Sequence, residues 1–237
     1  MSVHLLTVLY ELFDDDPGPV LAFLRRTARE YRLEEPLAVL DMGCGPGRLF
    51  PGLAELGWTV VGFEPDRRFC EDASARASGL EAVEVVLGGW KDLDLRERFD
   101  LAVAMNGPFA YLLTRADQVE ALRRVYGSLR KEGVLVLDLP DLLSLRDRKE
   151  VVTTDSTEVD GHRIRLRRVR SFDFARSRYV QTNRYRIEDP DGEGKFLETT
   201  HHHCILTEKD LRELVSETGF RELRIQNGYG DEDGGQD

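Results

Sequence analysis

The chain has 237 residues, of which 41% are hydrophobic and 32% charged, and a formal net charge of −11; this length supports one substantial core with an elaboration. No apolar run approaches the roughly eighteen residues of a membrane span, and the N-terminal stretch MSVHLLTVLYELFDDDPG carries acids where a secretory signal would be basic, so a cytoplasmic protein is expected. The acidity disfavours a broad nucleic-acid surface, although HRIRLRRVRSFDFARSR at 162–178 gathers arginines that read as an exposed strand face or a local basic patch.

In chain order, Leu9, Tyr10, Leu12 and Phe13 precede DDDPGP, where Asp16 is placed to cap a helix with Pro17 at its first position. Val20, Leu21, Phe23 and Leu24 then recur at helical spacing toward Tyr31. LAVLDMGCGPG at 37–47 reads as a buried strand ending at Asp41, followed by Gly43, Gly45 and Gly47 at alternate positions. Such glycines allow positive φ and a close approach by a ligand. A helix from Arg48 to Leu56 completes a strand, turn and helix N-terminus of the nucleotide-binding kind.

Which nucleotide is decided by two features. Position 48 is Arg where the dinucleotide fingerprint wants Gly or Ala, and Asp41 would repel a pyrophosphate, which disfavours a nicotinamide-dependent oxidoreductase. The carboxylate suits a cationic ligand instead. Asp41-x-Gly43-x-Gly45-x-Gly47 resembles the first motif of class I S-adenosylmethionine-dependent methyltransferases. A second strand, Thr59 to Phe63, ends in Glu64, where the resemblance implies that a carboxylate accepts both ribose hydroxyls. It therefore implies S-adenosylmethionine as cofactor, met by Asp41, Gly43, Cys44, Gly45, Gly47, Glu64 and Pro65.

Helix 65–77, strand 82–87, strand 99–105, helix 116–129 and strand 133–139 continue the alternation. The fold class expected is α/β, a doubly wound, mostly parallel sheet with a small antiparallel β insertion. At Gly89 this class often has an acid that meets adenine; its lack here leaves Trp90 either to stack on the ring or to plug the sheet edge. Met105, ending the fourth strand, and Asn106 after it lie beside the expected switch point and are expected to meet the cofactor. The following NGPFAYLL resembles the corresponding stretch of small-molecule N-methyltransferases, including those acting on amino sugars, which places Phe109 and Tyr111 at the acceptor. Tyr10 is either a lid residue over the cofactor or simple packing.

Between Val151 and His203, β-branched and aromatic residues alternate with polar ones, and DPDGEG at 189–194 is a turn signal. Three antiparallel strands are expected, near 162–173, 178–188 and 195–205, roofing the substrate pocket or packing on a second subunit as a homodimer. His201 and His203 share one strand face and His202 points away, so no metal is expected. The pair either accepts a proton from the substrate or is ordinary half-buried strand. Cys44, Cys70 and Cys204 have no metal spacing and read as reduced bystanders. Thr207 and Asp210 cap a helix that stops at Gly219, and 220–225 reads as a sixth strand. Tyr229 lies near the pocket mouth by resemblance. A seventh, antiparallel strand follows in the family, and six are expected here unless the sequence stops short.

The organisation expected is a helical lid at 1–36, a cofactor-binding core at 37–150 and 204–237, and the insertion at 151–203. The activity implied is methyl transfer to a small-molecule acceptor, an amine foremost. The alternatives are RNA or protein methylation through the arginine-rich insertion, and cofactor binding without turnover.

Overall fold

A computed structural model describes residues 4–13, 16–189 and 194–230. Most of the turn expected at 189–194, and the acidic tail at 231–237, lie outside the described residues. Helices α1 (Leu5–Glu11) and α2 (Gly18–Glu30) lead into β1 (Ala38–Met42), α3 (Phe50–Glu55), β2 (Thr59–Glu64), α4 (Arg67–Ala77) and β3 (Val83–Leu87). Then come β4 (Phe99–Ala104), α5 (Arg115–Ser128) and β5 (Leu129–Leu137). Four long strands follow, β6 (Glu150–Val159), β7 (His162–Asp173), β8 (Arg178–Glu188) and β9 (Gly194–Cys204), and α6 (Glu208–Thr218) closes the series.

The core is a five-stranded, wholly parallel sheet in the order β3-β2-β1-β4-β5, the Rossmann-like arrangement. Its strands read as unbroken apolar runs because helices cover both faces. Val20 and Leu24 of α2 and Leu53 of α3 pack with Val39, Val60 and Leu101 on one face. Leu122 and Val125 of α5 and Leu214 of α6 pack with Leu40, Val61 and Ala102 on the other. Direction reverses between β1 and β4, so the carboxyl ends of those two strands and of β2 and β5 open one crevice.

Strands β6 to β9 form a separate antiparallel sheet in sequence order. The sequence predicts three of these; β6 was not among them. EVVTTDSTEV is bonded on one side only, to β7, and is exposed through most of its length, so it lacks the alternation of a half-buried strand. Helix α1 bridges the two sheets. Leu9 is fully buried with Ile164, Leu166 and Tyr185 of the antiparallel sheet. On its other side Thr7 Oγ1 donates to buried Asp72 of α4 at 2.5 Å, and Tyr10 packs on Phe69.

Residues 220–225 form no strand, so this sheet has five strands and not the six expected. Side chains fix the segment elsewhere: Phe220 packs edge-on against Tyr126 of α5, and Arg224 pairs with Glu30 of α2. Helix starts also shift from expectation. Asp66, and not Pro65, precedes α4, its side chain accepting the N–H of Arg68 at 2.9 Å. Residues 46–49 turn before α3 begins at Phe50. Strand β5 begins at Leu129, earlier than the Gly133 expected, with a register irregularity opposite Phe99 and Leu101.

Candidate active site

The glycine loop joins the ends of β1 and β2. The N–H groups of Gly43 and Cys44 both donate to Phe63 O, at 2.8 and 3.1 Å, which pins the loop across the carboxyl end of β2. Gly43 has φ +73° and Gly45 φ +56°, conformations that favour glycine. The two differ in their surroundings. A Cβ on Gly43 would collide with Pro108, whereas one on Gly45 would meet nothing within 4 Å, so the loop presents open space at Gly45.

Two carboxylates flank that space. Asp41 is 2% exposed, and burial, reinforced by Glu64 and offset by Arg48, pushes it up to about 7. Glu64 is 7% exposed and accepts the N–H groups of Gly45 at 2.9 Å and Asp66 at 2.8 Å; burial pushes it up while those two donors hold it down. Two buried acids without a resident ammonium make a cation-seeking site. Cys44 is buried and its thiol is pushed well above its usual range by burial first and by both acids, which leaves it inert. Pro65 is exposed at the end of β2, beside Gly89.

Beyond β4, Asn106 takes φ +63°, a left-handed conformation that asparagine tolerates, and its N–H donates to Asp138 Oδ2 at 2.8 Å. Its side-chain amide donates to Tyr10 Oη, so α1 lies over the end of the sheet. Tyr229 donates its hydroxyl to the same Asp138 oxygen at 2.6 Å and packs on Phe23 of α2. Asp138 is a site residue that the sequence reading missed. It ends VLVLD as Asp41 ends LAVLD, and the same strand-end argument would have found it.

Tyr111 joins the end of the parallel sheet to the antiparallel one. Tyr111 Oη lies 3.0 Å from His201 Nδ1, and His201 Nε2 lies 3.0 Å from Thr199 Oγ1. The Tyr111 ring meets His203 at 4.3 Å between centroids, and His203 stacks on Tyr179 at 4.5 Å and 13°. Tyr179 and its partners were not foreseen, because the cross-strand register that pairs Tyr179 with His203 is not written in local sequence. Burial pushes the Tyr111 phenol up to about 12 although the ring is 49% exposed, with Tyr179 and Glu64 adding to it. Burial pushes His203 down to about 4, with His201 and Arg170 adding to it, and lowers His201 as well.

Three expected site residues turn inward instead. Phe109 is 0% exposed, so it lines no open acceptor pocket; its ring fills the core beneath, edge-on to Trp90 at 5.5 Å. Trp90 is 9% exposed and takes the packing role between the two alternatives considered for it. Met105 is also in the core, packed with Val103 and Leu101. Among the described residues no cluster of three His, Cys, Asp or Glu is placed to hold a metal ion, and no helix is long and apolar enough to cross a membrane.

Residues 39–133 match the model of the methyltransferase domain, a span that contains the glycine loop and both acids. Glycine/sarcosine N-methyltransferase of Aphanothece halophytica is 24% identical over 215 residues, covering 88% of this chain and 73% of the relative. The sugar N-methyltransferase KedS8 of Streptoalloteichus superposes with a TM-score of 0.78 at 20% identity, over 92% of this chain and 85% of its own. CalS10 of Micromonospora echinaspora, an amino pentose methyltransferase with S-adenosylmethionine bound, gives 0.77 at 19% identity, over 92% and 89%. The residues fit that cofactor: Asp41 stays raised to about 7 despite Arg48 and so gains from a further cationic group, and Gly45 leaves open the space a Cβ would fill. The loop, the acids and the sheet order agree with the methyltransferase domain matched at 39–133, and by that domain the chain is an S-adenosylmethionine-dependent methyltransferase.

Proposed function

We propose that the chain methylates a small-molecule amine seated at the exposed side of Tyr111, where that ring meets the inner face of the antiparallel sheet. The observation that carries the reading is the contact of Tyr111, in the turn after β4, with His201 and His203 of β9, and of His203 with Tyr179, which brings the antiparallel sheet against the carboxyl end of β4 and gives the site a covered side. A site covered on one side takes a small acceptor more readily than a strand of RNA or a protein surface. The sugar and amino pentose N-methyltransferases among the structural neighbours support the same choice.

S-adenosylmethionine, when bound, supplies an electrophilic methyl group. Asp41, once ionised, meets its ammonium; Gly45 admits its backbone; Glu64, held by the Gly45 and Asp66 N–H groups, receives the ribose hydroxyls. On the acceptor side, Tyr111 stays protonated at neutral pH and donates to His201 Nδ1, which fixes the His201 tautomer with its Nε2–H toward Thr199. The phenolic oxygen is then free to accept an acceptor N–H and aim the nitrogen lone pair. His203 is neutral and too weakly basic to serve as a resident proton acceptor at neutral pH. The poorly hydrated cluster instead favours the uncharged amine, the form that reacts. Most of the rate then comes from orientation.

The test is transfer of labelled methyl from S-adenosylmethionine into extract separated into small-molecule and macromolecular fractions. Label is expected in small amines. Tyr111→Phe should lower kcat about 10- to 100-fold, the scale of a lost alignment, with affinity for S-adenosylhomocysteine unchanged. Label confined to RNA or protein would refute the reading.

A further inference from the structure

The inner face of the antiparallel sheet is banded. Cross-strand register places Arg168, Asn183 and Thr199 in one row, Arg170, Gln181 and His201 in the next, and Phe172, Tyr179 and His203 in a third. Below the first row the face is apolar, Ile164, Leu166 and Tyr185 closing on Leu9 of α1. Around the third, Tyr179 packs with Leu142 and Ile205. A polar strip thus lies between two apolar ones, on the side that faces Tyr111.

That strip is incompletely satisfied. Asn183 Oδ1 and His203 Nδ1 are buried and have no hydrogen-bond partner. An orphaned buried polar atom is destabilising, so two on one strip point to a ligand that supplies the partners. The strip is also unbalanced in charge. Arg170 is half-buried and spends Nε on Gln181 Oε1 at 2.8 Å. Arg168 beside it pairs with Asp155 at 3.8 Å, a half-exposed acid on the edge strand, whereas no carboxylate among the described residues lies within ion-pair distance of Arg170. Two guanidinium groups on one strip thus share one loose acid, and the planar guanidinium of Arg170 matches a carboxylate or a phosphate. Gln181 alone separates Arg170 from His201 across the sheet, about 10 Å between strands two apart. An amine at His201 and an oxyanion at Arg170 therefore fit within one small molecule.

Resting on the reading that the acceptor is a small amine, we propose that Arg170 binds an oxyanion carried by that acceptor, with His203 Nδ1 and Asn183 Oδ1 taking its neighbouring polar atoms. The substrate class is then an amine that bears a carboxylate or a phosphate.

The test begins with binding. Inorganic phosphate and acetate are titrated into the complex with S-adenosylhomocysteine, and the His203 ring resonances are followed by NMR. Saturable binding of one probe is expected for the native chain. It should weaken at least about tenfold in Arg170→Gln, the low end for a hydrogen bond to a charged group, and recover in part in Arg170→Lys. Retained S-adenosylhomocysteine affinity in both variants shows that they fold. Equal affinity in all three proteins, or no saturable binding of either probe, would overturn the proposal. Turnover of matched amines then separates the two sources of the anion. Preference for glucosamine 6-phosphate over glucosamine identifies phosphate, and preference for glycine over glycinamide identifies carboxylate, each lost in Arg170→Gln. Equal turnover of charged and uncharged partners overturns the anion site and leaves the amine reading intact. Arg170-dependent anion binding with methyl label only in macromolecules sustains the anion site and overturns the amine reading.

Discussion

Asp41→Asn should stabilise the protein without cofactor at neutral pH while weakening its hold on the cofactor. Asp41 is 2% exposed and sits at about 7 in the folded chain against an ordinary 3.8, through burial first and Glu64 second. A raised carboxylate is protonated in the folded state where the unfolded chain has already ionised. Its contribution to stability is complete below 3.8 and is lost as pH rises toward about 7. The full loss is on the order of 4 kcal/mol at 1.36 kcal/mol per pH unit. Asparagine has no such loss. The stability difference between Asp41→Asn and the native chain should grow by about 2.7 kcal/mol between pH 5 and pH 7, or roughly 5–10 °C in Tm for a chain of this size. Taking the difference cancels groups common to both proteins, His203 among them, whose slope runs the other way. Thermal unfolding without cofactor at a series of pH values measures it. Calorimetry with S-adenosylhomocysteine should show native affinity rising through this window, below the range where the ligand's own α-amino group titrates, and no such rise in Asp41→Asn. A stability difference that stays constant with pH would refute the assignment of Asp41 as a buried, cation-seeking acid.

Three further outcomes follow from single contacts. Glu64→Ala should weaken S-adenosylhomocysteine binding by about 1–3 kcal/mol, measured by calorimetry, because it removes the acceptor and orphans the Gly45 and Asp66 N–H groups; unchanged affinity would sink the role given to the end of β2. His203, held at about 4 against an ordinary 6.5, contributes stability that is present above 6.5 and lost as pH falls toward 4. In His203→Phe that acid sensitivity should disappear, a gain near pH 5 of roughly 2 kcal/mol relative to pH 7, and parallel urea-denaturation curves across the range would count against it. Asp72→Ala removes the acceptor of Thr7 Oγ1 and of the His4 N–H, so amide exchange should quicken across 5–11 and stay unchanged in β1 and β4; protection that persists in α1 would mean that Leu9 alone secures it.

The glycine loop and the strands that flank it were legible because their determinants are local. A buried strand writes itself as an apolar run, a tight loop as glycines, and an acid that ends such a run stands out at Asp41 and Glu64. Asp138 obeyed the same rule and was missed only because no glycine loop follows it. What escaped was decided by distant partners. VVTTDST becomes a strand because β7 offers its edge, whereas FRELRI does not become one, its side chains being engaged by Tyr126 and Glu30. Phe109 was expected at the acceptor and Trp90 either on the ring or plugging the sheet edge, yet whether such an aromatic faces ligand or core depends on the space beneath it. The polar strip was invisible for a similar reason. Arg170, Asn183 and His203 are 33 residues apart from first to last in the sequence and meet only through the register of three strands.

The two sides of the site carry opposite electrostatic deficits, and this constrains how the enzyme is assembled. At the ends of β1 and β2 two buried acids are offset only in part, by Arg48 near Asp41; on the antiparallel sheet Arg168 has half-exposed Asp155 and Arg170 has no carboxylate within ion-pair distance among the described residues. No ion pair joins the two sides among the described residues. Separation keeps both deficits available to ligands, at a cost in stability that each ligand removes when it binds. Tyr111 is where the sides meet: Glu64 helps to raise its phenol while Tyr179 and His203 pack around it.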